Sequence, residues 1–170
     1  MIRFILVFLM LFLPGYALAI EIKSDAFDDG GMINSKYTCD AENISPPLEW
    51  KDVFSNTKSF VLICDDPDSP SKSWTHWVLF NIPADKTSLS EGVPKTGTFD
   101  DGMIQGINDF GKVGYDGPCP PPTGPHRYFF RLYAIDIALV LDENSTKDAV
   151  LDAIKGHIIG EAVTFGTYER

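Results

Sequence analysis

Three largely continuous apolar runs, 59–64, 74–82 and 127–137, sit between segments dense in proline and glycine, and this alternation restricts the fold more than any other feature of the chain. Short apolar runs bounded by turn residues read as buried strands. Ile20-Glu21-Ile22-Lys23 alternates and reads as an opening strand, and Ala162-Val163-Thr164-Phe165-Gly166-Thr167-Tyr168 as a closing one. Segment 27–47 has little periodicity and predicts loops with short strand pieces. Segment 87–117 holds seven glycines and no long apolar stretch. Irregular segments of that length inside one domain usually carry function or cover something. One helix is expected late in the chain. Ser145 caps it, Asp148 follows three residues on, and Ala149, Val150, Ala153, Ile154 and His157 recur at helical spacing, with Gly156 and Gly160 near its exit. His157 reads as a partly exposed residue near the helix C-terminus. No internal repeat is visible, and buried strands with long Pro- and Gly-rich connections indicate a mostly-β sandwich.

The N-terminus reads separately from the fold. Arg3 precedes an unbroken apolar run over 4–13, followed by Pro14-Gly15 and Ala17-Leu18-Ala19. A basic start, a short apolar core and an A-x-A end predict a secretory signal peptide over 1–19, with a single exported domain over 20–170. The run falls well short of the roughly 20 residues that span a bilayer, so no transmembrane anchor is expected after cleavage. The formal net charge is −10, and loss of Arg3 with the leader makes it −11. Such an acidic surface argues against nucleic acid and against anionic membrane faces as partners. Export makes a disulfide permissible. Cys64 lies inside an apolar run and reads as a small buried hydrophobe. Cys39 and Cys119 both lie in polar loops and are the candidate pair. Neither C-x-x-C nor H-x-x-x-H occurs, so no metal site is expected.

Two segments carry the chemistry. Asp66-Pro67-Asp68-Ser69-Pro70 leads into Trp74-Thr75-His76-Trp77, and Gly117-Pro118-Cys119-Pro120-Pro121 leads into His126-Arg127-Tyr128. Each is a proline-stiffened polar loop entering an apolar strand that begins with a histidine. Strict alternation places Trp74, His76 and Val78 on one face of the first strand, and Thr75, Trp77 and Leu79 on the other. In the second strand His126 and Tyr128 share a face opposite Arg127. If the two strand starts adjoin, each aims a histidine and an aromatic at one spot, beside Asp66 and Asp68. Rigid loops at strand ends are a common way to build a small binding pocket.

These segments, in this order, resemble the phosphatidylethanolamine-binding protein family, and most closely its bacterial Raf-kinase-inhibitor-like branch. Lys36-Tyr37-Thr38-Cys39-Asp40, Asn43-Ile44-Ser45-Pro46-Pro47-Leu48-Glu49-Trp50, Asn108-Asp109-Phe110-Gly111 and Gly166-Thr167-Tyr168 extend the resemblance over nearly all of 20–170. It implies a β-sandwich of two antiparallel sheets with one or two short helices. It also implies a pocket at one edge for phosphate-like or carboxylate-like groups, lined by Asp66, Asp68, Pro70, Trp74, His76, Gly117, Pro118, His126 and Tyr128. Animal members carry a further helix near the pocket mouth, whereas here the last expected strand ends two residues before Arg170. They also act on cytosolic kinases, which an exported protein would not meet, so kinase inhibition is not carried over.

The expected function is a periplasmic or secreted binding protein without cofactor, taking a small phosphorylated or carboxylated ligand. A peptidase or a signalling protein is the protein partner such a role would involve. The alternative is a peptidase inhibitor acting through an exposed loop, such as one in 87–117, an activity found in the wider family. A hydrolase ranks third. Ser69, His76 and Asp66 offer nucleophile, base and orienter, but no G-x-S-x-G elbow exists and Pro70 has no N–H for an oxyanion hole. A metal hydrolase on Asp65, Asp66, Asp68 and His76 fails the calcium-loop pattern, with Pro70 where an oxygen ligand is wanted and Ser71 where the turn glycine belongs. Carboxylates in an anion pocket require a protonated histidine or a protonated Asp donor, and tighter binding at mildly acidic pH follows.

Overall fold

The computed structural model describes residues 19–170. The signal peptide expected over 1–19 lies, apart from Ala19, outside the described residues. In chain order, β1 (Glu21–Lys23) and a 3-10 turn (Ser35–Tyr37) precede β2 (Leu48–Lys51), β3 (Ser59–Asp66), β4 (Trp74–Pro83), β5 (Ser88–Leu89), β6 (Ile104–Gln105) and β7 (His126–Ile135). Helix α1 (Lys147–Ala153) and β8 (Ile158–Tyr168) follow. The strands form two antiparallel sheets, a small one in the order β1-β2-β5 and a large one in the order β6-β4-β3-β7-β8.

The uninterrupted apolar character of 59–64 has a direct cause: β3 is central in the large sheet and buried on both faces. One face of the large sheet, carrying Phe60, Leu62, Trp77, Leu79, Phe130 and Leu132, packs on Ile22, Leu48, Trp50 and Leu89 of the small sheet. The other face, with Val61, Ile63, Val78 and Phe80, packs on Leu139 and on Val150 and Ile154 from the helical segment. The fold is thus a sandwich with one short helix closing its second face.

The helix starts one residue later than its sequence pattern predicts. Thr146, not Ser145, is the N-cap, its hydroxyl accepting from the Ala149 N–H at 3.4 Å. The Ser145 carbonyl is already engaged by the Ile107 N–H at 2.9 Å, which fixes that residue in a strand-like bridge between the 104–107 region and the helix entry. His157 falls in the turn between α1 and β8, where its Nδ1 lies 2.9 Å from Asp136 Oδ1. The closing strand begins four residues earlier than expected, because Ile158 onward continues the ladder with β7.

Cys39 and Cys119 form a disulfide across a separation of 80 residues, with Cα atoms 5.4 Å apart. Cys64 is free and buried, and burial pushes its thiol pKa well up, as expected of a small hydrophobe.

Candidate anion-binding site

A β-bulge builds the site. Cys64 of β3 faces Trp77 of β4, yet the next pair is Asp65 with Thr75, so His76 is an extra residue with no partner opposite. The phase slip turns Trp74, opposite Asp66, to the same side as Trp77. Val78 instead joins the cluster under the helix. Strict alternation had grouped Trp74, His76 and Val78 against Trp77, and the bulge overrides it. His76 ends with its ring edge-on to Tyr128, centroids 5.1 Å apart, beside the inter-sheet core rather than under the helix.

The two strand starts do not pair; they flank the end of β3 and open onto one cavity. A cavity of about 180 Å³ is lined by Asp66, Ser69 and Pro70 from the first loop, by Trp74 and His76 from β4, and by His126 and Tyr128 from β7. Phe110, Cys119, Pro120 and Pro121 complete the lining. The small sheet contributes nothing to this lining, so the cavity lies where the inter-sheet face of the large sheet runs beyond its cover.

Six of the nine residues expected in the pocket line it: Asp66, Pro70, Trp74, His76, His126 and Tyr128. The other three do not, and each has a structural duty instead. Asp68 turns outward, and its carboxylate accepts from Arg127 through the backbone N–H at 3.0 Å, Nε at 2.8 Å and Nη2 at 2.7 Å. Those bonds hold its pKa below the usual carboxylate range and pin the first loop to the start of β7. Gly117 donates its N–H to Asn43 Oδ1 at 2.7 Å, so that donor is not available to a ligand. The Pro118 carbonyl accepts from the Cys39 N–H at 3.1 Å. Phe110 was not among the expected residues. Its signal lay in the glycine-rich segment that had to cover something, and its ring is edge-on to both Trp74 and His76.

The protonation pattern follows from the partners. His76 is 2% exposed and its Nδ1 lies 2.6 Å from the Asp116 carbonyl, so Nδ1 carries a proton and donates it. Nε2 is then the nitrogen that gains or loses a proton. Burial lowers the His76 pKa below 6.5, opposed by the Asp116 carbonyl and the Asp66 charge. His126 Nδ1 lies 2.7 Å from Asp66 Oδ2, and Asp66 Oδ1 accepts from the Asp68 N–H at 2.8 Å. Both oxygens of this buried carboxylate are therefore bonded within the protein.

Two donors in the lining have no such provision. Among the described residues, the Tyr128 hydroxyl and the Trp74 indole N–H are buried without a hydrogen-bond partner. Burial raises the Tyr128 pKa, so the hydroxyl keeps its proton, and among the described residues no group accepts it. A buried donor left unmade costs about 1–3 kcal/mol, which an acceptor group entering the cavity recovers.

The side chains considered for catalysis from the sequence have other partners. Asp66 pairs with His126 rather than His76, so the order Ser69–His76–Asp66 is not formed. Asp65 is on the opposite face, held by Ser73, Arg131 and Lys147, while Asp68 is taken by Arg127. A larger hollow of about 280 Å³ near Lys72, Asp109 and Lys147 has its cations paired, Lys72 with Asp109 at 2.7 Å and Lys147 with Asp65 at 3.4 Å.

Comparison with known proteins agrees with this architecture. The family model described as phosphatidylethanolamine-binding protein matches residues 23–169. A protein of Methanothermobacter thermautotrophicus named UPF0098 is 58% identical over 151 residues, covering 89% of this chain and 99% of that protein. A crystal structure described as a phosphatidylethanolamine-binding protein homologue from Chlamydia trachomatis superposes with a TM-score of 0.83 at 40% identity, covering 91% of this chain and 99% of that one. Escherichia coli YbcL, described as a member of the mammalian family, gives 0.84 at 33% identity, covering 89% and 98%. With the family model matched over residues 23–169 and these relatives matched over nearly the whole length, the chain belongs to the phosphatidylethanolamine-binding protein family.

Proposed function

We propose that the chain is an exported, non-enzymatic binding protein that takes a small phosphate- or carboxylate-type group into the cavity between His76 and His126. The observation that carries this reading is the pair of unpartnered donors in one small lining, the Tyr128 hydroxyl and the Trp74 indole N–H. Both are neutral and call for an acceptor. His76 Nε2 supplies a third donor once protonated. The export component rests on the apolar leader and its A-x-A end, and the Cys39–Cys119 disulfide fits an oxidising compartment.

Tyr128→Phe separates this role from a structural one. Removal of the hydroxyl takes away a buried group that no described protein atom accepts from, so urea stability is expected to stay equal or rise. Phosphate binding, measured by calorimetry, is expected to weaken about tenfold, as for one lost hydrogen bond to a charged group. Unchanged affinity in a variant of unchanged stability sinks the proposed pocket.

The pH dependence has a defined sign. The folded His76 pKa lies below 6.5, so at neutral pH the ring is uncharged, and an anion must draw a proton onto Nε2 to use it as a donor. Affinity therefore rises as pH falls from about 8 to about 5.5. Acetate is the cleaner probe, because its own charge changes far less than that of phosphate over that range. The empty protein behaves oppositely: the unfolded chain binds the His76 proton first, so stability falls as pH drops below about 6.5. Acetate affinity that is flat with pH, or calorimetry showing no proton uptake on binding, contradicts the assignment to His76.

A further inference from the structure

We propose that the Cys39–Cys119 disulfide is a thiol–disulfide exchange site through which a dithiol reductant loosens the anion cavity. The inference rests on the reading of that cavity as a binding site. Cys119 is itself part of the lining, with Pro120 and Pro121 beside it. Pro118, Pro120, Pro121 and Pro122 have no N–H, so this wall cannot be held by a backbone ladder. Its ties to the rest of the molecule are few. The Pro118 carbonyl accepts from the Cys39 N–H at 3.1 Å, the Pro120 carbonyl accepts from Arg170 Nε at 2.9 Å, and the disulfide joins the wall covalently to the 3-10 turn region.

The two sulfurs are not equivalent. Cys119 is exposed, whereas Cys39 is half-buried. Arg170 Nη1 lies 3.9 Å from Cys39 Sγ. Asp40 Oδ1 is 4.0 Å from the same sulfur, but the Asp40 carboxylate is engaged by Arg170 at 3.6 Å and by the Tyr168 hydroxyl at 2.7 Å. Attack is therefore easiest at Cys119, and the sulfur that leaves, Cys39, departs as a thiolate beside a guanidinium. A better-stabilised leaving thiolate leaves faster.

In the exchange, one thiolate of the reductant bonds to Cys119 Sγ as the Cys39–Cys119 bond breaks, and the electron pair goes to Cys39. The second thiol of the reductant, losing its proton, then attacks its own sulfur in the mixed disulfide and expels the Cys119 thiolate. Two protons return to the cysteine thiolates. The protein disulfide gains two electrons and the dithiol becomes a disulfide. The Pro120–Pro121 wall then keeps only hydrogen bonds, and a cavity this small loses the fixed spacing between that wall and Tyr128.

The test compares oxidised and dithiothreitol-reduced protein in calorimetric titrations with inorganic phosphate, at a temperature where the reduced chain keeps its native near-ultraviolet spectrum. Reduction is expected to weaken binding about fivefold, through the lost preorganisation of the wall, with recovery on reoxidation. Equal affinity in both forms, with reduction confirmed by mass, overturns the inference while leaving the pocket intact. Absence of phosphate binding in the oxidised protein removes the pocket, and this inference with it. Two further readouts do not depend on the stability of the reduced chain. Peptide mapping after brief exposure to glutathione is expected to find the mixed disulfide on Cys119, and Arg170→Gln is expected to slow reduction about threefold or more. An adduct first formed on Cys39, or a rate unaffected by the substitution, overturns it.

Discussion

Gly117→Ala is expected to destabilise the fold by about 4 kcal/mol, which for a domain of this size lowers the melting temperature by roughly 8–16 °C. A Cβ at Gly117 meets the Tyr37 carbonyl oxygen well inside contact distance and stands 2.8 Å from Thr38 Cα. These are backbone atoms, and neither is free to move. The Tyr37 carbonyl accepts from the buried Tyr115 hydroxyl at 2.8 Å. The next residue but one, Cys39, is fixed by the disulfide and by its bond to Pro118. Thr38 is itself buried, with its hydroxyl on the Ser35 carbonyl at 2.9 Å. The clash therefore has to move two tied segments together, or break the Gly117 N–H bond to Asn43. Thermal melting monitored by circular dichroism checks this. A loss under about 1 kcal/mol would mean that the 37–39 and 116–118 segments yield far more easily than their bonds suggest.

The same residue shows where sequence reasoning stops. Glycine in a proline-rich loop beside a histidine reads naturally as a source of free N–H groups, and Gly117 was expected to face the ligand. The structural reason for glycine is instead a backbone crossing with 37–38, a contact between segments 80 residues apart that no local pattern encodes. Asp68 was misplaced for a related reason. Spacing brings it near the pocket, but the choice between facing inward and facing outward was decided by Arg127, which alternation correctly put on the outer face of β7. The buried strands and the sandwich were legible because burial on two faces writes itself directly into apolar runs. So was the approach of the two histidines, since both sit at strand starts and both strands neighbour β3.

What alternation could not supply is the bulge at His76. Counted strictly, Trp74 and Trp77 belong to opposite faces, and only the insertion of one unpaired residue lets both turn to the inter-sheet side. The pairing of Trp74 with His76 emerged correctly from a phase that fails two residues later. The disulfide was a better-founded expectation, because two polar-loop cysteines and one apolar-run cysteine leave one sensible pair. Phe110 had only an indirect signal, its place in a long glycine-rich segment, and its role depends on the tertiary placement of the turn over β4.

That turn is organised by Asp116, and Asp116→Asn is expected to cost about 3 kcal/mol at neutral pH by leaving one buried donor opposed to another. The carboxylate is 4% exposed. Its Oδ1 accepts from Asn43 Nδ2 at 3.0 Å and lies 3.5 Å from both Lys95 Nζ and Lys112 Nζ, while Oδ2 accepts from Asn108 Nδ2 at 3.1 Å. An amide offers one acceptor where two are needed. The backbone of the same residue brackets His76, donating to its carbonyl at 3.0 Å and accepting from its Nδ1, so phosphate affinity is expected to fall together with stability. Burial alone would raise the Asp116 pKa, but Asn108, Lys95, Asn43 and Lys112 outweigh it and hold the group below 3.8. The sign of the pH effect follows: the unfolded chain takes the proton first, so the stabilisation is whole above about pH 5 and disappears as pH falls through the folded value. Urea unfolding at a series of pH values is therefore expected to show a gap between wild type and Asp116→Asn that is widest near neutrality and closes as pH falls through the folded value, because the protonated acid loses the same acceptor that the amide lacks. A gap of constant size across that range would place the stabilising contribution in shape rather than in charge, and would remove Asp116 as the electrostatic anchor of the His76 wall.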